Sequence, residues 1–352
     1  MSSQESISKL CLVIPVPFFI VFAFVLIIIP GNEILLISDS NNNHFGTTNN
    51  FAYGQQQPKN QINFNNITNS LDIQSIPSKK VHVGDIDITY KTFGKGDPIL
   101  LISGSGNVMD VWPSSMLQEL SSNHTVIIFD NRGVGNTTSG TRPFSIQQFA
   151  NDTVGLLDAL KIQKADVLGF SMASFIAQQL TLMHPEKVNR LILYGASCGG
   201  QESISQSPEV VKALSDFVNN RTQDVETFLS VTFPSEWIKA HPNYLETIPK
   251  SAEIVPSATL VKQFNAVEEW LDTNWSGVCS QLPNTSNPTL IITGTEDIAI
   301  PAANSLILAQ KIPGAWLVQI KDAGHGLMYQ YPEQFNKVLQ TFLSTTTTTI
   351  PS

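Results

Sequence analysis

Ser171 stands in Gly169-Phe-Ser-Met-Ala173, between the apolar run Ala165-Asp-Val-Leu168 and a helical run over 172–184 that Pro185 stops. A serine at such a strand-to-helix corner is held in a strained turn that exposes its hydroxyl. Strand and helix pass close together there, so the positions two before and two after must be small, as Gly169 and Ala173 are. A serine hydroxyl is a poor nucleophile at neutral pH and needs a base within hydrogen-bond reach, itself oriented by a carboxylate. For a corner serine the expected chain order is serine, acid, histidine. Asp297, in Gly294-Thr-Glu-Asp297, follows the apolar run 289–293, and His325, in Asp322-Ala-Gly-His325-Gly, follows the run 316–320. All three would then lie at the carboxyl ends of parallel strands, the edge along which open α/β sheets bind ligands. The implied chemistry is attack on a carbonyl through an acyl-enzyme, with Ser171 as nucleophile, Asp297 as orienting acid and His325 as base.

Charge developing on the carbonyl oxygen needs prearranged donors, usually backbone amides. Met172 N–H, directly after the nucleophile, and Ser105 N–H, in the glycine-rich loop Ser103-Gly-Ser-Gly106, are the candidates. Gly104, Met109, Trp112 and Phe170 are the candidate substrate contacts near the same edge. Asp130 and Arg132 fall at that edge too, and Asp130 is read as satisfying backbone donors in its glycine-rich turn. Trp270 and Trp275 either face the substrate or hold the overlying segment down.

The elements that must position these residues follow from periodicity. The segments 81–83 and 86–91 alternate like two antiparallel strands joined through Gly84-Asp85. Apolar runs at 99–102, 125–129, 165–168, 190–194, 289–293 and 316–320 read as buried strands, with helical patterns over 145–160, 172–184, 302–311 and 332–344. Continuous apolar strands with helical crossovers imply an α/β fold: a mostly parallel, eight-stranded sheet with helices on both faces. One long break, about 197–288, carries helical patterns and reads as a helical cap inserted after a strand.

Residues 81–345 resemble the α/β-hydrolase fold proteins of the esterase, lactonase and cofactor-free haloperoxidase-like branch. The resemblance rests on the corner motif, Asp130-Asn-Arg-Gly-Val-Gly-Asn136, His184-Pro-Glu-Lys-Val-Asn-Arg-Leu-Ile-Leu193, Gly294-Thr-Glu-Asp297 with Pro301, and Gly324-His325-Gly326. It implies the same three roles for Ser171, Asp297 and His325. Two positions depart from the pattern: Ala173 replaces the usual second glycine of the corner, and Ser103-Gly104 stands where relatives often have His-Gly. The expected activity is carboxylic-ester hydrolysis of small or medium acyl substrates, without a metal or organic cofactor. Lactone, thioester, amide or carbon–carbon bond hydrolysis and perhydrolysis use the same triad, and a binding or scaffolding protein that kept the fold is the non-enzymatic alternative.

The chain of 352 residues is 42% apolar and 14% charged, with a net charge of -9. Without a Lys/Arg block it has nothing to replace phosphate counterions, which argues against a nucleic-acid partner. Cys11, Cys198 and Cys279 offer no metal-ligand spacing, and an oxidising compartment would permit Cys198 and Cys279 to pair. After a short flank, 1–9, the uncharged stretch 10–30 is long enough to cross a bilayer, for which about 20 apolar residues suffice. It reads as a transmembrane signal anchor or a cleaved signal peptide; Lys9 before it and Glu33 after it place the remainder outside the cytoplasm. The Asn/Gln-rich stretch 31–78 reads as a disordered stalk, 79–345 as the catalytic domain and 346–352 as a disordered tail. Asn-x-Ser/Thr triplets occur at Asn66, Asn123, Asn136, Asn151, Asn220, Asn274 and Asn284.

Overall fold

The computed structural model describes residues 24–29, 33–38, 71–219, 225–246, 248–251 and 253–345. Its strands are β1 (Phe24–Ile29), β2 (Glu33–Ser38), β3 (Lys79–Val83), β4 (Ile86–Gly94), β5 (Asp97–Ile102), β6 (His124–Phe129), β7 (Ala165–Phe170), β8 (Val188–Tyr194), β9 (Thr289–Gly294) and β10 (Trp316–Ile320). They form one sheet in the order β2-β1-β10-β9-β8-β7-β5-β6-β4-β3. The eight strands from β3 to β10 are those expected, and β5 to β10 pair in parallel with their neighbours within that set. The hairpin β3–β4 joins antiparallel through β4 and β6.

The helices are α1 (Ser114–Ser121), α2 (Ile146–Ala159), α3 (Met172–Met183), α4 (Pro208–Asn219), α5 (Val225–Thr232), α6 (Ser235–Ala240), α7 (Ser257–Leu271), α8 (Ala303–Lys311), α9 (Leu327–Gln330) and α10 (Pro332–Leu343). Alternation along each strand feeds two cores. On β5, Leu100 and Ile102 pack towards α2 and α3, where Phe149, Leu157, Phe175 and Ile176 meet them. Ile99 and Leu101 point the other way, towards Met116, Leu117 and Leu120 of α1 and Phe335, Leu339 and Phe342 of α10. Both faces being covered explains why these strands read as unbroken apolar runs. Ser145 caps α2, its hydroxyl accepting the Gln148 N–H at 3.1 Å.

The strand order turns at β5, which has β6 on one side and β7 on the other. A crevice opens at such a switch point, outside the carboxyl ends of the strands. The loop after β5 and the corner after β7 both face it.

Above that edge lies the cap, with α4 to α7 in the segment between β8 and β9. Its two stems are joined by a disulfide between Cys198 and Cys279, with Cα atoms 5.1 Å apart. Val278 N–H donates to the Cys198 carbonyl at 2.9 Å beside it. Trp270 stacks on Phe175 at 5.5 Å and donates its indole N–H to the Ser197 carbonyl. Trp275 donates to the Trp270 carbonyl at 2.8 Å. Neither tryptophan lines the cavity under the cap, so both hold the cap down.

The N-terminal boundaries differ from those expected. Within the 10–30 stretch, Phe24–Ile29 is a strand, pairing in parallel with β10 and antiparallel with β2. Its run of β-branched and aromatic residues suits a strand as well as it suits a membrane. No helix among the described residues is long and apolar enough to cross a membrane. Within the 31–78 stretch, Glu33–Ser38 is that partner strand, and Ile73 is buried with Leu71 and Ile76 packed against the same core cluster. Three apolar side chains in an otherwise polar stretch carry too little periodicity to be read as folded. Residues 10–23, most of the Asn/Gln-rich stretch with Asn66, the Asn220 triplet's own asparagine and the tail 346–352 lie outside the described residues.

A disulfide closing a long loop chiefly restricts the unfolded chain, and its loss typically costs about 2–5 kcal/mol. The double variant Cys198→Ser/Cys279→Ser should therefore unfold at clearly lower urea concentration, followed by tryptophan fluorescence. An unchanged midpoint would show that the cap stems hold without the bond.

Candidate active site

The corner at Ser171 is the tightest point of the backbone. Ser171 adopts φ 57° and ψ −126°, a region that L-residues occupy only under constraint. Its N–H donates to the Tyr194 carbonyl at 2.9 Å, and its carbonyl accepts from Ser174 N–H at 2.8 Å. A Cβ on Gly169 would sit 2.1 Å from the Ala173 carbonyl oxygen, so the demand for glycine falls on position 169. Position 173 presents its backbone to that contact and buries its methyl in the core, which is why alanine serves there.

His325 Nδ1 lies 2.8 Å from Asp297 Oδ2. The other Asp297 oxygen accepts the Ile300 N–H at 2.9 Å, fixing the carboxylate in the loop after β9. Both side chains are buried, Asp297 more fully than His325. With the Nδ1 proton given to the carboxylate, Nε2 is left as the accepting nitrogen of the neutral ring. Phe170 covers that ring at 5.0 Å between centroids. Ser171 and His325 line one cavity of about 670 Å³ beneath the cap. The arrangement can take a proton from the serine as it attacks and return it to a leaving group.

Met172 N–H, in the first turn of α3, has no carbonyl one turn back to bond. Ser105 lines the same cavity, in a loop pressed against the corner: a Cβ on Gly104 would lie 3.0 Å from Ser171 Cβ. Gly104 thus lets the loop approach closely and is not among the cavity lining. Of the other expected substrate contacts, Phe170 lines the cavity, whereas Met109 and Trp112 do not. Met109 and Trp112 are fully buried beside α1 and belong to the core. Both sit in the short helical turn at 109–111 and its boundary with their side chains packed into the core, while Asp110 and Val111 of the same turn line the cavity.

Other residues at the site carried no motif. Tyr194, at the end of β8, is fully buried and donates its hydroxyl to the His325 carbonyl. Burial raises its pKa well above the usual tyrosine value and so keeps it a donor. Gly195, with φ 59°, leaves room for the imidazole, since a Cβ there would be 2.8 Å from His325 Cε1. Gln263 of α7 accepts the Gly106 N–H at 2.9 Å, so the cap itself steadies the loop that carries Ser105. A polar residue at a buried helix position was the available signal for Gln263.

Arg132 is a structural fork. It donates to both oxygens of Asp152 at 2.8 and 2.7 Å and to Asp85 at 2.8 Å, tying α2 to the β3–β4 turn. Beside Arg132, the Asp85 carboxyl lies well below the usual carboxylate range. Asp130 accepts the Met109 N–H at 2.7 Å, a backbone donor from the loop after β5 and not from its own glycine-rich turn. Its second oxygen and Glu253 Oε2, from the cap, are both buried without a hydrogen-bond donor. They crowd one point, 2.4 and 2.5 Å from where a Cβ on Gly135 would stand. Burial, reinforced by the Glu253 carboxylate, pushes the Asp130 pKa up to about 7. One proton between two facing acceptors turns their repulsion into a hydrogen bond.

Comparison with known proteins agrees with the fold. The sequence profile of the alpha/beta hydrolase fold family matches residues 97–332. The chain is 30% identical over 263 residues to 2-hydroxymuconate semialdehyde hydrolase of Pseudomonas putida, covering 71% of this chain and 88% of that one. An alpha/beta hydrolase fold protein from Chitinophaga pinensis superposes with a TM-score of 0.65 at 25% identity, over 77% of this chain and 98% of its own. The enol-lactonase from Burkholderia xenovorans LB400 superposes at 0.61 and 25% identity, over 76% of this chain and 100% of its own.

The Asp130–Glu253 contact has a testable pH signature. In the unfolded chain Asp130 loses its proton near its ordinary value of 3.8, in the folded protein only near 7. The folded state therefore binds the extra proton between these values. The contribution to stability is full below the lower value and is lost as pH rises through the upper one. Asp130→Asn keeps an acceptor for Met109 N–H and offers Glu253 a donor. Its unfolding temperature relative to the parent should climb from about pH 4 to about pH 7 and then level off. A constant difference across that range would remove the shared proton.

Proposed function

Because the chain belongs to the α/β-hydrolase fold family, we propose that it is a serine hydrolase in which Ser171, His325 and Asp297 are nucleophile, base and orienting acid. The observation that carries this reading is the buried Asp297–His325 contact of 2.8 Å opening on the same cavity as a strained Ser171. His325 takes the Ser171 proton as Ser171 Oγ attacks the substrate carbonyl, and the oxyanion rests on the Met172 and Ser105 amides. The tetrahedral species collapses, His325 protonates the leaving oxygen, and an acyl-enzyme remains. Water deprotonated by His325 then attacks the acyl carbon, releasing the acid and restoring Ser171.

Carboxylic-ester hydrolysis is the proposed reaction. Relatives named as a 2-hydroxymuconate semialdehyde hydrolase and an enol-lactonase share the fold, so bond type is set by the cavity and not by the family. The proposed setting is outside the cytoplasm, with the domain held by its apolar N-terminal stretch or released from it. The Cys198–Cys279 disulfide supports an oxidising compartment.

Ser171→Ala should abolish turnover of a p-nitrophenyl ester while the circular dichroism spectrum stays that of the parent. Asp297→Asn should lower kcat by roughly 10⁴, the loss expected when the histidine is held in the wrong tautomer. A panel of ester, lactone, thioester and amide substrates should show the ester favoured. Undiminished ester turnover in Ser171→Ala would overturn the mechanism.

A further inference from the structure

We propose that the cavity beside Ser171 takes a long, uncharged alkyl acyl group and rejects acyl groups that end in a carboxylate. The proposal rests on the serine hydrolase reading and narrows it. The cavity, about 670 Å³, lies in the range of sites that enclose drug-sized ligands, and an acetyl group would leave most of its wall bare.

That wall is apolar. Leu214 and Phe217 of α4, Phe228 of α5, Phe233, and Leu260 and Phe264 of α7 all face it. Phe217 and Phe228 stack at 4.3 Å to make a continuous aromatic surface. Phe217, Phe228, Leu214 and Phe264 are only half-buried, so their apolar area is free to be covered by an occupant. Each methylene moved from water onto such a surface strengthens binding several-fold. The rim continues the same character: Leu245 is 50% exposed and Ile254 is 74% exposed, and both line the cavity.

The charges around the cavity have the wrong sign for an anionic acyl group. Among the described lining residues the carboxylates are Asp110, Glu253 and Glu268, against one ammonium group, that of exposed Lys250. Asp110 already pairs with buried Lys91 at 2.9 Å, so that lysine is committed. Glu253 is held by Asn136 at 2.6 Å and faces Asp130. A carboxylate carried to the end of an acyl chain would lose its hydration among phenylalanines, and the one ammonium group of the described lining, that of Lys250, is exposed to water.

The test uses three alkyl fluorophosphonates with the same leaving fluoride: an ethyl chain, an octyl chain, and an octyl-length chain ending in a carboxylate. Modification of Ser171 is followed by intact mass, which makes the reading independent of the natural bond. The octyl probe should react at least roughly tenfold faster than either of the others. In Leu214→Arg the gap between the octyl and carboxylate-ended probes should narrow. Ethyl reacting as fast as octyl, or the carboxylate-ended chain as fast as octyl, would overturn the proposal while leaving the hydrolase reading in place. A gap unchanged in folded Leu214→Arg would place the chain elsewhere and also overturn it. Failure of all three probes to modify Ser171 would instead remove the hydrolase reading, and the proposal with it.

Discussion

Two backbones that pass too closely for a side chain between them set the geometry of this protein. At the end of β7 the chain turns into α3 with Gly169 against the Ala173 carbonyl, and the turn can close only if Ser171 adopts a positive φ. A left-handed, strained residue of this kind costs of order 1–3 kcal/mol and survives only where the surroundings over-determine it. Here they do. β7 is buried along its whole length between β5 and β8, α3 is anchored by Phe175 and Ile176, and the Tyr194 carbonyl receives the Ser171 N–H. The strain is what lifts the hydroxyl out of the sheet edge into the crevice left by the turn in strand order.

Once that hydroxyl is raised, the rest of the site is a matter of bringing three loops to it. The loops after β9 and β10 supply Asp297 and His325, and their mutual bond is stiffened from below by Gly195, Phe170 and Tyr194. The loop after β5 is held from above by Gln263. The cap is thus part of the site's scaffold as well as its roof. It touches the histidine loop too, where Gly326 N–H donates to the Thr232 carbonyl at 2.9 Å. The disulfide fastens its two stems to each other, and the stacking of Trp270 on Phe175 and the Asp130–Glu253 contact join it to the main domain. A roof fastened this firmly leaves the cavity's shape to its apolar lining.

Much of this was legible in the chain. Each of the six strands from β5 to β10 carries a short apolar run, because burial on both faces leaves little room for polar alternation, whereas β3 and β4 at the edge alternate. The placement of Ser171, Asp297 and His325 was readable because each follows such a run within a few residues, so identifying the strand locates the residue at the carboxyl edge of the sheet. Asp130 was readable as a turn residue for the same reason. Met109 and Trp112 were misread as substrate contacts, since nearness in sequence to the oxyanion loop says nothing about which side of the sheet a side chain enters. In the N-terminal stretch an uncharged β-branched run suits a membrane and a sheet edge alike, and Phe24–Ile29 lies at the sheet edge.

Sequence alone determined the order of elements, the corner at Ser171 and the three side chains proposed to carry the chemistry, because these depend on local periodicity and on residue types within a few positions. Tertiary structure decided which residues meet across long separations: Gln263 with Gly106, Tyr194 with His325, Glu253 with Asp130, and Cys198 with Cys279. These contacts leave no periodic trace. Each partner could be satisfied by water or another neighbour, and only the closing of the cap over the sheet edge selects one arrangement.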